Sequence, residues 1–160
     1  MRKERISFEL EILDGVHELS DVYRNLLELA HTTRDHAYAP YSNFQVGAAL
    51  LMENGEMIIG SNQENASFPA GLCAERVAVF QAGARFPGKT IEAMAISAAP
   101  KHGDISRAVA PCGNCRQALL EYEIRQQRPI TLILAGGGGQ IFKCASVKDI
   151  LPLAFDRSFL

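Results

Sequence analysis

A chain of 160 residues suits one domain, and at that size roughly two thirds of the unfolded surface can be buried on folding. Apolar residues make up 48% of the sequence and charged residues 21%, which excludes the hydrophobic depletion of a disordered chain. A formal net charge of −2 gives no bulk attraction to polynucleotide phosphate, and no apolar run spans a bilayer, so the expectation is a cytoplasmic protein acting on small molecules, without nucleic-acid or membrane partners.

In chain order, Ile6, Phe8, Leu10 and Ile12 alternate with Ser7, Glu9 and Glu11, the two-residue period of a half-exposed edge strand. Ser20 can cap a helix carrying Val22, Leu26, Leu29, Ala30 and Thr33 at helical spacing to about Ala37, before Ala39-Pro40. Phe44 to Met52 and Glu56 to Ser61 read as antiparallel strands joined at Asn54-Gly55, a dipeptide suited to a tight hairpin turn. Cys73 opens a helix with Val77, Phe80, Ala82 and Ala84 that ends by Gly88. Residues 91–99 form an apolar strand, and Pro111 precedes a further helix with Ala118, Leu119 and Tyr122. Residues 130–135 are a buried strand, Gly136 to Gly139 a loop, Ile141 to Lys143 a last strand, and Val147 to Leu151 a short helix. Strand, helix, strand, helix, strand in the second half predicts crossovers onto one sheet covered by helices.

The four cysteines are Cys73, Cys112, Cys115 and Cys144. In a reducing compartment they point to metal binding or catalysis rather than disulfides. Cys112 and Cys115 can grip one ion from a single helix turn, and Cys73 supplies a third thiolate if both helices start at the same end of the sheet. Three ligands leave a coordination position for water, the mark of a catalytic zinc. Helix N-termini, with Arg76 and Arg116 beside the cysteines, offset the excess negative charge. Glu75, two residues after Cys73, is placed to shuttle protons beside the metal without being a ligand. Taken alone, CxxC also fits a redox pair or half of a structural zinc site; Cys144 would be the fourth ligand of the latter, but its surroundings read as the end of a strand and favour a buried structural thiol. His17, His31, His36 and His102 are scattered and taken as structural.

Four separated motifs, YAPYSNFQVGAAL at 38–50, NQENASF at 62–68, CAERVAVF at 73–80 and PCGNCRQ at 111–117, with LPLAF at 151–155 as a weaker fifth, resemble the small free-nucleoside cytidine deaminases. The resemblance runs from about residue 20 to residue 155 and implies a three-layer α/β/α fold with a mixed sheet of about five strands. An extra N-terminal strand is added to that fold, and residues 1–160 form a single domain in which 1–19 are an extension. It further implies one zinc ion per subunit and a homotetramer with shared active sites. Asn62 and Glu64 would bind the ribose, Phe44 would pack on the pyrimidine, Ala74 would offer its backbone amide, and Phe155 would come from a neighbouring subunit. Phe68 stands where relatives often carry tyrosine and Ala110 where serine is frequent, while Gln63 is expected to point away from the Asn62 and Glu64 face.

The implied reaction is hydrolytic deamination of cytidine and 2′-deoxycytidine in pyrimidine salvage, with Glu75 carrying a proton from the attacking water to ring N3 and then to the leaving amine. The alternatives are a deaminase of another cytosine nucleoside such as blasticidin S, against which NQENASF argues, a polynucleotide deaminase, and a non-catalytic zinc-stabilised binding protein.

Overall fold

The computed structural model describes residues 1–103 and 105–160. The strands are β1 (Glu11–Leu13), β2 (Phe44–Met52), β3 (Met57–Ser61), β4 (Ile91–Pro100), β5 (Thr131–Ala135) and β6 (Ile141–Cys144), and the helices are α1 (Asp21–Thr33), α2 (Ala74–Arg85) and α3 (Gly113–Gln126). The strands form one mixed sheet in the order β1-β6-β5-β4-β2-β3. β4 and β5 are parallel, and the other neighbours are antiparallel. Since β3 and β4 both run against β2, the strands β3, β4 and β5 point the same way. The crossovers through α2 and α3 therefore begin at the same end of the sheet.

Alternation along the strands builds the three layers. Leu50, Met94, Ile96, Leu132 and Leu134 pack beneath α2 and α3 around Ala78, Val79, Leu119 and Leu120. Ala49, Leu51, Ala93, Ala95 and Ile133 face the other way, onto Leu26, Leu27 and Ala30 of α1. The Ser20 hydroxyl caps α1 by accepting from the Tyr23 amide. The hairpin turns at Asn54-Gly55 as expected, with Gly55 at φ +82° and the Gly55 amide donating to the Met52 carbonyl.

Some details differ from the sequence expectation. The N-terminal strand is confined to Glu11–Leu13, and residues 1–10 lie exposed outside any regular element. β6 offers partners only as far as Cys144, where the chain leaves for the Ser146-capped turn Val147–Ile150, so residues upstream of Leu10 have no ladder to join. The short helix expected there is a 3-10 turn that ends one residue earlier, at Ile150. The buried stripes of two helices are also rotated from the expected ones: Phe80 is exposed while Ala78 and Val79 are buried, and α3 buries Glu123 beside Leu119 and Leu120.

Candidate active site

Cys73 and Cys112 are the N-cap residues of α2 and α3, and neither uses its side chain to cap its helix. The crossovers bring both helix starts together, so Cys73 Sγ lies 3.9 Å from Cys112 Sγ, and Cys115, one turn into α3, places its sulfur 3.6 Å from Cys112. Among the described residues these three form the one group of Cys, His, Asp or Glu side chains close enough to share an ion, with all ligand atoms within 4.8 Å of one another. Sulfurs bound tetrahedrally at the zinc–thiolate distance would be about 3.8 Å apart, close to the Cys73–Cys112 and Cys112–Cys115 separations, so the donor set fits zinc. Cys144 lies apart from this group, fully buried in the core beneath α3.

A hydrogen bond from the Cys115 thiol, with help from Arg76, holds Cys73 well below the ordinary thiol range, at about 5. The same interaction with Cys73, together with burial, pushes Cys115 up. A thiolate is thus already favoured at Cys73, and a metal bound there would displace and release the proton that Cys115 retains. Glu75 is only 4% exposed, in the first turn of α2. Burial pushes its carboxyl upward, and the charge at Cys73 adds to the effect. A buried carboxyl shifted upward beside a metal site is a candidate for proton transfer. The Ala74 amide, one residue earlier, belongs to the first turn and has no carbonyl partner within its helix.

The two arginines do different things. Arg76 sets Nη2 3.9 Å from Cys73 Sγ and 3.4 Å from the Gly71 carbonyl, close enough to offset thiolate charge. Arg116 instead donates from Nε to the Pro111 carbonyl at 2.8 Å and from Nη1 to the Ile150 carbonyl at 2.7 Å. Its guanidinium fastens the segment that delivers Cys112 to the turn that precedes the C-terminal tail.

Beside Cys73 and Arg76 opens a cleft of about 520 Å³, whose walls include Tyr41, Ser42, Asn62, Glu64 and Phe68. Of the residues assigned to substrate, Asn62 and Glu64 line it, whereas the half-buried Phe44 lies at the start of β2 outside the lining. The Asn62 amide is tied to β2: Oδ1 accepts from the Val46 amide at 2.8 Å and Nδ2 donates to the Phe44 carbonyl at 2.9 Å. One Nδ2 hydrogen and one Oδ1 lone pair remain for a ligand. Glu64 accepts from the Tyr41 and Ser42 amides at 2.9 and 3.2 Å and from the Ser42 hydroxyl, and the Ser42 hydrogen bond holds its carboxyl below the ordinary value. Gln63 is exposed, with its amide turned back to Ser61.

Tyr41 and Ser42 are the contributors that residue types alone did not single out. Asn43, at φ +53°, turns the chain so that the two preceding amides converge on Glu64; asparagine is one of the few side chains at ease there, and that is the signal that was available. The Tyr41 ring meets Phe68 edge-on at 5.8 Å. Phe155 is 59% exposed, stacked on Phe159, with its carbonyl held by Gln117 Nε2 at 2.9 Å. A second cavity of similar volume lies on the α1 side against Gly136 to Gly139 and contains none of the thiols.

Residues 20–128 match the family described as the cytidine and deoxycytidylate deaminase zinc-binding region. A cytidine deaminase of Halalkalibacterium halodurans is 47% identical over 130 residues, 81% of this chain and 91% of that protein. One from Sporosarcina psychrophila is 36% identical over 138 residues, 84% and 92% of the two chains. The crystal structure of the cytidine deaminase from Burkholderia pseudomallei superposes with a TM-score of 0.67 at 40% identity, covering 83% of this chain and 98% of that one.

Proposed function

The chain belongs to the cytidine and deoxycytidylate deaminase family, and from that premise we propose that it hydrolyses cytidine and 2′-deoxycytidine to the uracil nucleosides and ammonia. The observation that carries the reading is a buried carboxyl, Glu75, beside three sulfurs spaced for one metal ion, one of which, Cys73, lines a cleft.

Cys73, Cys112 and Cys115 would hold the zinc, one ion per subunit. Bound there, zinc supplies a Lewis acid able to make water nucleophilic near neutral pH. Glu75 takes the proton of the attacking water and delivers it to ring N3, which leaves C4 electrophilic. The hydroxide so formed adds at C4, and Glu75 then takes the proton of the new C4 hydroxyl and passes it to the exocyclic nitrogen, so that the C4–N bond breaks, C4 becomes the uracil carbonyl and ammonia departs. The Ala74 amide, pointing out of the first turn of α2, donates to the polar edge of the ring where charge develops. Asn62 and Glu64 hold the ribose hydroxyls, Asn62 through its free amide hydrogen and Glu64 through its remaining lone pairs, and the pairing selects nucleosides over the free base. Phe44 packs towards the pyrimidine, and Tyr41 and Phe68 close the cleft's apolar wall.

We further assign the protein to the cytoplasm and to pyrimidine salvage, as a homotetramer with shared sites. Among the described residues no helix is long and apolar enough to cross a membrane. The exposed rings of Phe68 and Phe155 are what subunit contacts would cover, and Phe155 would complete the site of a neighbour. Ammonia release from cytidine, 2′-deoxycytidine and cytosine by zinc-loaded protein tests the reaction, with Glu75→Ala as the control. Turnover of the nucleosides but not of cytosine, lost in the variant, is the expected result. A zinc-loaded, folded protein that turns over none of them is not a cytidine deaminase.

A further inference from the structure

Residues 1–10 carry a strand pattern without a strand partner. Ile6, Phe8, Leu10 and Ile12 alternate along the sequence, each more than a third exposed, and the last of them lies opposite Phe142 of β6; extended backbone would put all four on one face. The other row reads Lys3, Arg5, Ser7, Glu9 and Glu11, basic at its start and acidic at its end. β1 is the last strand of the sheet, so the arm leads directly from an open edge.

We propose that this arm is a self-pairing strand, and that its occupant is the arm of a second copy of the chain, antiparallel and centred on Ser7. In that register residue i lies opposite residue 14 − i. Lys3 then faces Glu11 and Arg5 faces Glu9, each twice by symmetry, while Ile6 faces Phe8 twice on the other side, where Leu10 and Ile12 lie opposite Glu4 and Arg2. Shifting the centre by one residue either way leaves one kind of ion pair instead of two. A parallel pairing in register sets like charges against like. The charge row thus selects both direction and register. Glu11 is already held by Lys143 Nζ at 2.9 Å, which fixes the acidic end of the row at the sheet edge where the partner's Lys3 would arrive. The inference rests on residues 2–12 alone and stands or falls separately from the deaminase reading.

Substituting Ser7→Cys in the full, zinc-loaded chain reads the contact directly. Two such residues face each other with Cβ atoms about 5 Å apart, so oxidised glutathione should join them into a covalent dimer that the unsubstituted chain does not form. Leu10→Cys serves as the register control, because the two copies of that position lie about 20 Å apart along the paired strands and should stay monomeric on a non-reducing gel. Adding Arg5→Glu to Ser7→Cys should lower the dimer yield about tenfold through repulsion at both symmetric pairs, and adding Glu9→Arg as well should restore it. An equimolar mixture of the Arg5→Glu and Glu9→Arg forms should also cross-link, since each then meets its opposite charge. Equal cross-linking at positions 7 and 10, no cross-linking at position 7, or a yield indifferent to the charge reversals would overturn the proposal.

Discussion

Cys73 Sγ and Cys112 Sγ lie 3.9 Å apart although they are 39 positions apart in sequence, because each ends the loop into a crossover helix starting at the same end of the sheet. A metal bound there ties α2 to α3. Removing it with a chelator should lower the melting temperature by about 10 °C, since a ligand present at a thousandfold its Kd contributes about 4 kcal/mol and a domain of this size moves 2–4 °C per kcal/mol. Cys112→Ser should reproduce the loss and lower zinc stoichiometry in elemental analysis. A melting temperature indifferent to zinc content would separate the sulfur cluster from metal binding.

Glu75 is buried and its carboxyl is shifted up by that burial. Glu75→Gln keeps the shape and removes the proton transfer, so kcat should fall at least about 100-fold, the scale of a lost general acid–base. Zinc content and substrate binding should be preserved. A rate within a few fold of the parent protein would exclude the shuttle.

Glu64 gives the pH dependence. Its carboxyl is held below the ordinary value, chiefly by the Ser42 hydroxyl and then by the Tyr41 and Ser42 amides. A depressed carboxylate contributes stability above its unfolded pKa and loses it as pH falls through the lower folded value. The amide resonances of Tyr41 and Ser42 should therefore titrate with a midpoint below the ordinary glutamate value of about 4.3, and Glu64→Gln should abolish that titration. A midpoint at or above the ordinary value would mean that the clamp does not persist in solution.

The parts of the molecule legible from sequence are those whose signals are local. Asn54-Gly55 specifies its own turn, and Cys73 and Cys112 sit at helix starts flanked by strands, which the crossover rule brings to one end of the sheet. The rest depends on distant partners. Ile6 to Leu10 alternate like a strand, but β6 is too short to pair with them. Asn62 looks like a ligand-binding amide, yet two of its bonds secure β2. Glu123 looks like a solvent-facing helix residue until α3 is placed against the turn at Val147–Ile150.

That carboxylate is a buried clamp. Glu123 is 4% exposed and accepts from the Ile130 amide at 2.8 Å, the Ser146 hydroxyl at 2.6 Å and the Val147 amide at 2.9 Å. Glu123→Ala strands buried donors on two segments, so the expected cost is about 3 kcal/mol, a drop of roughly 6–12 °C in melting temperature. Calorimetry checks it, and a change under 2 °C, at the foot of the per-kcal scale, would show that water replaces the carboxylate without penalty.

Arg116 separates two accounts of the charge beside the cysteines. If its role were to offset thiolate charge, Arg116→Lys would preserve it, since the charge stays. The guanidinium instead spans two carbonyls, Pro111 just before Cys112 and Ile150 just before the C-terminal tail. A lysine ammonium cannot reproduce that fork, so Arg116→Lys should loosen both segments. The expected result is zinc affinity about tenfold weaker in chelator competition, as for other groups that orient ligands. The segment after Ile150 should also become more susceptible to protease, while Arg116→Ala should behave like the lysine variant. Parent-like zinc affinity and protease resistance in Arg116→Lys, with loss only in Arg116→Ala, would instead assign the residue to charge compensation alone.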